Sequence, residues 1–432
     1  MQRDLLRSRI AKLPHLPPLD PDRHLEVTED EEEEALDSFP EDPTAPAVAK
    51  PRRRLPVGRD YSPLSAAGYF ADALEVDVPV QSVYQLSDPS SDDRYSPCAS
   101  SGTAKFRVYY TPPPAPPSSS FKQSTLSIAA AEDDDEEAGS PHGVVFVCVH
   151  GAGYSGLSWA CLAKELAAKA AEGKTCAGVL AYDARGHGKT ALPSPGDGES
   201  GTVDMSLSSM SSDLCAVLKA MYPLRETAPT LVLVGHSMGG AVVADACNRI
   251  QAEVADVTGV VVVDVVEGTA IDALPGMSTL IASQPKKFDS PAAAIAWHVS
   301  SKTINNLTSA RISVPPLVKP LQEGADECSW RVDLAKTEPY WRGWFTGLSA
   351  KFLSCRAAKL LLLAGTDRLD RELLIGQMQG KYQLEVDPLV GHCVHEDAPE
   401  RTAEALLSFF ERNDRTNQAA ILASVPRPPG SA

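Results

Sequence analysis

The 432-residue chain lacks several signatures that would place it in a class at once. Its nine cysteines are odd in number, scattered and without C-x-x-C spacing. That pattern argues against a disulfide framework and against a zinc site, and suits a reducing compartment. Cys148, Cys247 and Cys355 lie among apolar residues and read as small core side chains. No stretch approaches the roughly 20 apolar residues of a membrane span. The start, Met1 to Pro14, mixes charges and has no apolar segment of the secretory kind. A dinucleotide site is not expected. Metal-ligand spacings and internal repeats are missing too. The expectation is a protein of the cytoplasm or nucleus, with no membrane partner and neither metal nor cofactor.

Positive charge is in deficit: the net charge is −17. Two runs, Glu29 to Glu34 and Glu132 to Glu137, hold twelve of the acidic residues, and without them the balance is about −5. The acidity therefore belongs to local segments, and nucleic acid is disfavoured as a partner. Residues 1–58, rich in Pro, Glu and Arg, read as a disordered N-terminal extension. Arg52-Arg53-Arg54 is short enough to be a solvated basic patch rather than an import signal. Ser87 to Gly102 reads as a loop insertion, about 111–141 as a low-complexity insert, and 416–432 as a flexible tail.

What is present is a run of apolar strands alternating with helices. Leu74–Val80 alternates like an edge strand, and Phe106–Tyr110 reads as the next. Val144–Val149, Gly178–Asp183, Thr230–Val234, Val260–Asp264 and Ala358–Ala364 are continuous apolar runs, as strands buried on both faces require. Tyr382–Val386 is a shorter one. Helical spacing marks Trp159–Ala171, Met205–Tyr222, Ala241–Ile250 and Ala403–Arg412. The alternation implies a mostly parallel sheet flanked by helices. About 90 residues separate Asp264 from Ala358, too many for one crossover, so a helical cap is expected over about 268–357.

The chemistry centres on Gly235-His236-Ser237-Met238-Gly239. A G-x-S-x-G that ends a strand and opens a helix is the turn that presents a serine nucleophile, and it implies an α/β-hydrolase fold over 59–415. Gly235 and Gly239 leave room where strand and helix pass closely. In that fold acid and histidine follow the serine. His392, in a loop between the last strand and the last helix, is the expected base; His298 reads as cap packing and His395 as structural. The acid is open between Asp264 and Asp367, and position favours Asp367. Met238 and the His150-Gly151-Ala152-Gly153 loop are the expected oxyanion donors, through Met238 and Gly151 or Ala152. His150 reads as a brace for that loop. Asp183, Arg185 and His187 read as turn and scaffold residues. Trp330, Tyr340, Trp341, Trp344 and Phe345 read as cap core and as an apolar wall for substrate, two roles that are compatible.

Longer strings carry a family resemblance. VDVVEGTA at 263–270, LAKTEPYWRGWF at 334–345, LLAGTDRLD at 362–370, IGQMQGK at 375–381 and GHCVHEDAP at 391–399 resemble the protein phosphatase methylesterases. The RDYSP leader at 59–63 and the segment from His150 to Ala160 do so as well. The resemblance spans about 59–412. It implies a serine esterase that removes the methyl ester from the C-terminal leucine of the protein phosphatase 2A catalytic subunit, and it assigns the acid to Asp264. The oxyanion loop departs from the family in reading G-A-G where three glycines are common. Two other functions compete with this one: a general small-molecule carboxylesterase, and a phosphatase-binding inhibitor with little catalysis.

Overall fold

The computed structural model describes residues 59–80, 84–86, 96–97, 102–114, 143–172, 175–193, 201–365 and 369–414. The expected extension 1–58, most of the insert at 111–141, the tail 416–432, both acidic runs and Asp367 lie outside the described residues.

Eight strands form the main sheet: β1 (Asp72–Val80), β2 (Gly102–Thr111), β3 (Val144–Val149), β4 (Ala177–Tyr182), β5 (Thr230–His236), β6 (Val257–Val263), β7 (Ala358–Ala364) and β8 (Gln383–Asp387). Their spatial order is β1-β2-β4-β3-β5-β6-β7-β8. β1 and β2 pair antiparallel, as do β2 and β4; all other neighbours are parallel. The continuous apolar runs have a direct cause. In β5, Leu231 and Leu233 enter the core on one face, while Val232 and Val234 enter the core on the other. β3 divides in the same way, with Val145 and Val147 on one face and Phe146 and Cys148 on the other. Each such valine, leucine or phenylalanine contributes about 1.5–3 kcal/mol by leaving water.

On one face pack α1 (Ala160–Glu172) and α11 (Pro399–Asn413), through Leu162, Leu166, Leu406 and Phe409. On the other lie α2 (Leu207–Met221) and α3 (Met238–Glu253), through Met210, Leu214, Val242 and Val243. The eight described cysteines are all unpaired, and Cys148, Cys247 and Cys355 are buried.

The 90-residue interval holds α4 (Glu267–Ser283), α5 (Pro291–Ser300), α6 (Leu307–Ser313), α7 (Glu338–Phe345) and α8 (Leu348–Ser354). Beside these expected helices the cap also holds strands. Lys287–Phe288, Val318–Pro320 and Cys328–Trp330 pair into a small antiparallel sheet. The expected loop at 87–102 also contains a strand, Ser96–Pro97. It pairs with Tyr84–Leu86, which in turn pairs with Gly201–Val203. Strands of two or three residues offer no readable alternation, so pairing partners far along the chain set them.

Strand register aligns the site. Val149 lies opposite both Tyr182 and Gly235, and His236 lies opposite Val263. The segments that follow β3, β4, β5 and β6 therefore emerge together at the C-terminal ends of these parallel strands. The chain after β8 leads through His392 into α10 (Val394–Asp397).

Candidate active site

Ser237 sits between β5 and α3 with φ 52° and ψ −119°. A non-glycine residue held there stores strain of about 1–3 kcal/mol, which the surrounding structure must impose. The flanking glycines are what permits it. A Cβ on Gly235 would come within 2.1 Å of the Gly239 carbonyl oxygen, and one on Gly239 within 2.2 Å of the Val149 carbonyl oxygen. The Ser237 N–H donates to the Val263 carbonyl at 3.0 Å, pinning the turn to β6.

The residue after β6 is Asp264, also at positive φ (52°). Its Oδ2 accepts a hydrogen bond from His392 Nδ1 at 2.7 Å, and its Oδ1 accepts the Ala364 N–H at 2.7 Å. The Asp264 side chain is 9% exposed and that of His392 51% exposed, so a nearly dry carboxylate orients an imidazole open to solvent. The structure thus brings Asp264 and His392 together beside the serine turn. Among the described residues no hydrogen bond joins the Ser237 hydroxyl to His392.

Met238 is fully buried at the first position of α3, where the helix has no internal partner for its N–H. Gly151 lies close by: a Cβ on it would be 3.3 Å from Ser237 Cβ. Its carbonyl accepts from His150 Nδ1–H at 2.7 Å and from the Tyr154 N–H at 3.2 Å. In a trans peptide the next N–H points the opposite way, so anchoring that carbonyl directs the Ala152 N–H away from the anchor. His150 Nε2 accepts from the Ala184 N–H, and His187 Nε2 accepts from the Gly153 N–H, both at 3.0 Å. Burial lowers both histidines, His150 to about 4 and His187 to about 3, so both brace the loop as neutral rings. Asp183 accepts N–H groups from Gly156 and Lys189, and Arg185 pairs with buried Asp213 at 2.6 Å. These are scaffold contacts.

The cap aromatics pack as core. Trp341 and Trp344 are 3% and 1% exposed, and Tyr340 and Phe345 are buried beside them. The Trp344 indole N–H donates to the Met205 carbonyl and that of Trp341 to the Thr337 hydroxyl. Trp330 is half-buried against Phe288 and Trp297, and its indole donates to the Pro285 carbonyl. Packing is the role these contacts support. His298 is buried with its Nδ1–H on the Ala294 carbonyl, and His395 stacks on Trp159 at 3.9 Å. A cavity of about 350 Å³ lies elsewhere, lined by Phe70, Ala73, Arg107, Tyr109, Leu157 and Lys189; none of Ser237, Asp264 or His392 borders it. No group of three or more metal-ligating side chains occurs among the described residues. In the same set, no helix is long and apolar enough to cross a membrane.

Sequence reasoning passed over two residues. His236 donates from Nε2 to the His392 carbonyl at 3.0 Å, and Asp397 accepts the Gly391 N–H at 2.8 Å and the Asn305 N–H at 2.7 Å. Both tether the base loop. A polar residue inside an otherwise apolar strand end was the available signal for His236.

Comparison with known proteins gives the lineage. A model of the alpha/beta hydrolase family matches residues 146–405. A protein phosphatase methylesterase 1 of Cryptococcus neoformans is 41% identical over 423 residues, covering 95% of this chain and 92% of that protein. The chain belongs to the protein phosphatase methylesterase family. Another family member, from Emericella nidulans, is 47% identical over 284 residues, 63% of this chain and 69% of its own length. One from Gibberella zeae is 49% identical over 279 residues, with 63% and 67% covered. Among solved structures, an E-2-(acetamidomethylene)succinate hydrolase superposes with a TM-score of 0.51 at 18% identity, over 79% of this chain and all of that one. A peroxisomal alpha-beta-hydrolase of Saccharomyces cerevisiae gives 0.51 at 15% identity, over 82% and 92%. These two share the fold. As a methylesterase-family α/β-hydrolase, the protein is a carboxylic ester hydrolase.

Proposed function

We propose that the protein demethylates the C-terminal leucine methyl ester of the protein phosphatase 2A catalytic subunit, using Ser237, His392 and Asp264 as a triad. The observation that carries this is the 2.7 Å bond from His392 Nδ1 to Asp264 Oδ2 beside the strained serine turn. The chain that holds it is 41% identical to a named phosphatase methylesterase along 95% of its length.

With its Nδ1–H held by Asp264, His392 presents a basic Nε2. That nitrogen takes the Ser237 proton as Oγ attacks the ester carbonyl. Negative charge collects on the former carbonyl oxygen, where the N–H groups of Met238 and of Gly151 or Ala152 serve as donors. The C–OCH₃ bond breaks, and methanol leaves with the proton from His392. Water then attacks the acyl-enzyme, giving its proton to His392, and the carboxylate and free serine are restored.

Methoxide is too small to carry specificity, so recognition falls on the acyl side and the protein beyond it. Helix α9 (Arg371–Met378) supports a protein-sized substrate, with Leu374, Ile375 and Met378 exposed at 48%, 44% and 89%. A reducing cytoplasmic or nuclear location fits the unpaired cysteines.

A fluorophosphonate probe should label wild type at Ser237 and leave Ser237→Ala unlabelled. Peptides and intact subunit bearing the leucine methyl ester should lose it only with wild type. Equal labelling of both forms would remove Ser237 from the chemistry.

A further inference from the structure

His236 adjoins the nucleophile in the chain and the base in space, and the mechanism above gives it no part. It closes β5 one residue before Ser237 and is fully buried. Its Nε2 lies 3.0 Å from the His392 carbonyl oxygen. A carbonyl only accepts, so Nε2 carries the hydrogen and Nδ1 is a bare lone pair. That Nδ1 is buried without a partner among the described residues. It faces the oxyanion loop, for a Cβ on Gly151 would come within 2.9 Å of it. The ring lies 4.6 Å from that of His392, 4.8 Å from that of His395 and 5.7 Å from that of Tyr154, centroid to centroid.

We propose that His236 is a positioning residue for the ester hydrolysis, and that as the neutral Nε2–H tautomer it locks the His392 backbone to the serine turn. This rests on the reading of His392 as base and Ser237 as nucleophile. The physical need is plain. The His392 side chain is half in solvent, and Asp264 fixes only one ring nitrogen. A ring held at one atom can still swing with its loop. Asp397 anchors that loop one residue earlier, at the Gly391 N–H. His236 anchors the His392 carbonyl itself, from the residue next to the nucleophile, so serine and base move as one unit. A displacement of about 1 Å between reacting groups can cost about a hundredfold in rate.

Neutrality is built in. Burial pushes His236 well below the usual histidine range, and its neighbours His392, His395 and His150 reinforce the shift. A protonated ring would also need an acceptor at Nδ1, where none is present among the described residues.

The test compares His236→Gln, His236→Asn and His236→Phe. The Gln amide nitrogen reaches the place of Nε2, the Asn nitrogen reaches only that of Nδ1, and Phe fills the space without a donor. The measurements are kcat and KM on a small activated ester, the rate of fluorophosphonate labelling at Ser237, and the thermal midpoint. Asn and Phe should lose about ten- to a hundredfold in kcat and in labelling rate, the range of one lost buried hydrogen bond. KM should hold within about threefold, and Gln should retain kcat within about threefold of wild type. Wild-type rates in Asn and Phe, or an equal fall in Gln, would overturn the proposal. If Phe fails to fold, the Gln–Asn pair still decides. Ser237→Ala in parallel separates the two ideas. Turnover surviving in that variant removes the triad itself, whereas a dead Ser237→Ala beside a fully active His236→Phe removes only the role of His236.

Discussion

Asp264 divides its carboxylate between two elements: Oδ2 takes the Nδ1–H of His392 and Oδ1 takes the N–H of Ala364, each at 2.7 Å. The second contact ties the acid to β7 and fixes which oxygen faces the imidazole. In Asp264→Asn the amide that faces His392 would favour the wrong tautomer. We expect kcat to fall about 10⁴-fold with the fold intact. Asp367→Asn should stay within about threefold. Steady-state kinetics on a leucine methyl ester peptide decides, and a crippled Asp367→Asn beside an active Asp264→Asn would reverse the choice of acid.

Gly239 admits no side chain, because its Cβ would collide with the Val149 carbonyl oxygen, and that oxygen is backbone. Relief requires α3 to move away from β3. Gly239→Ala should therefore cost about 3 kcal/mol or more. Gly343, inside α7, has no neighbour among the described residues within 4 Å of where a Cβ would lie. Gly343→Ala should be neutral or stabilise by up to about 1 kcal/mol through helix propensity. Urea unfolding of both variants checks the contrast; equal stabilities would contradict it.

His395 is buried with both ring nitrogens unpartnered among the described residues, and burial lowers it to about 3. A depressed histidine favours folding above its unfolded value of 6.5 and loses that contribution as pH falls. At pH 5 the loss is about 2 kcal/mol. His395→Phe keeps the contact with Trp159 and removes the titration. It should be more stable than wild type at pH 5, with a smaller gain at pH 8. Thermal unfolding at the two pH values tests it, and a variant less stable at pH 5 would refute it.

Glu396 titrates in the opposite sense. Burial raises it to about 7, although the Ser313 and Ser309 hydroxyls donate to Oε2 and oppose the shift. A raised carboxyl is held protonated by the fold. Its contribution is full below the unfolded value of 4.5 and is lost as pH rises through 7, by about 2–3 kcal/mol between pH 5 and 8. Glu396→Gln should gain on wild type across that interval. A stability difference that stays flat from pH 5 to 8 would show that the carboxyl is not so shifted.

Much of this site could be read from the chain because local physics fixed it. A strand buried on both faces must be continuously apolar, and β3, β5 and β6 are. A serine flanked by glycines at a strand-to-helix turn has few other uses, and chain order reduced nine histidines to three. Spacing could not choose between Asp264 and Asp367, since each follows an apolar run; the choice came from the string around Asp264. The pairing of Tyr84–Leu86 with Gly201–Val203 left no trace in either segment. Nor did the bond from His236 to His392, which joins residues 156 apart. Such contacts arise from strand order and register, and a single sequence carries no pattern for them. The cap tryptophans show the converse: an aromatic cluster reads alike in sequence as substrate wall or as core, and the burial of Trp341 and Trp344 is what supports a packing role for those two.

Methanol release from carboxymethylated protein phosphatase 2A catalytic subunit, with wild type and Ser237→Ala side by side, is the most direct measurement. Wild type should release one methanol per methylated subunit, while Ser237→Ala binds the subunit and releases none. Release by Ser237→Ala at the wild-type rate, or none by wild type that still hydrolyses small esters, would contradict the proposed activity.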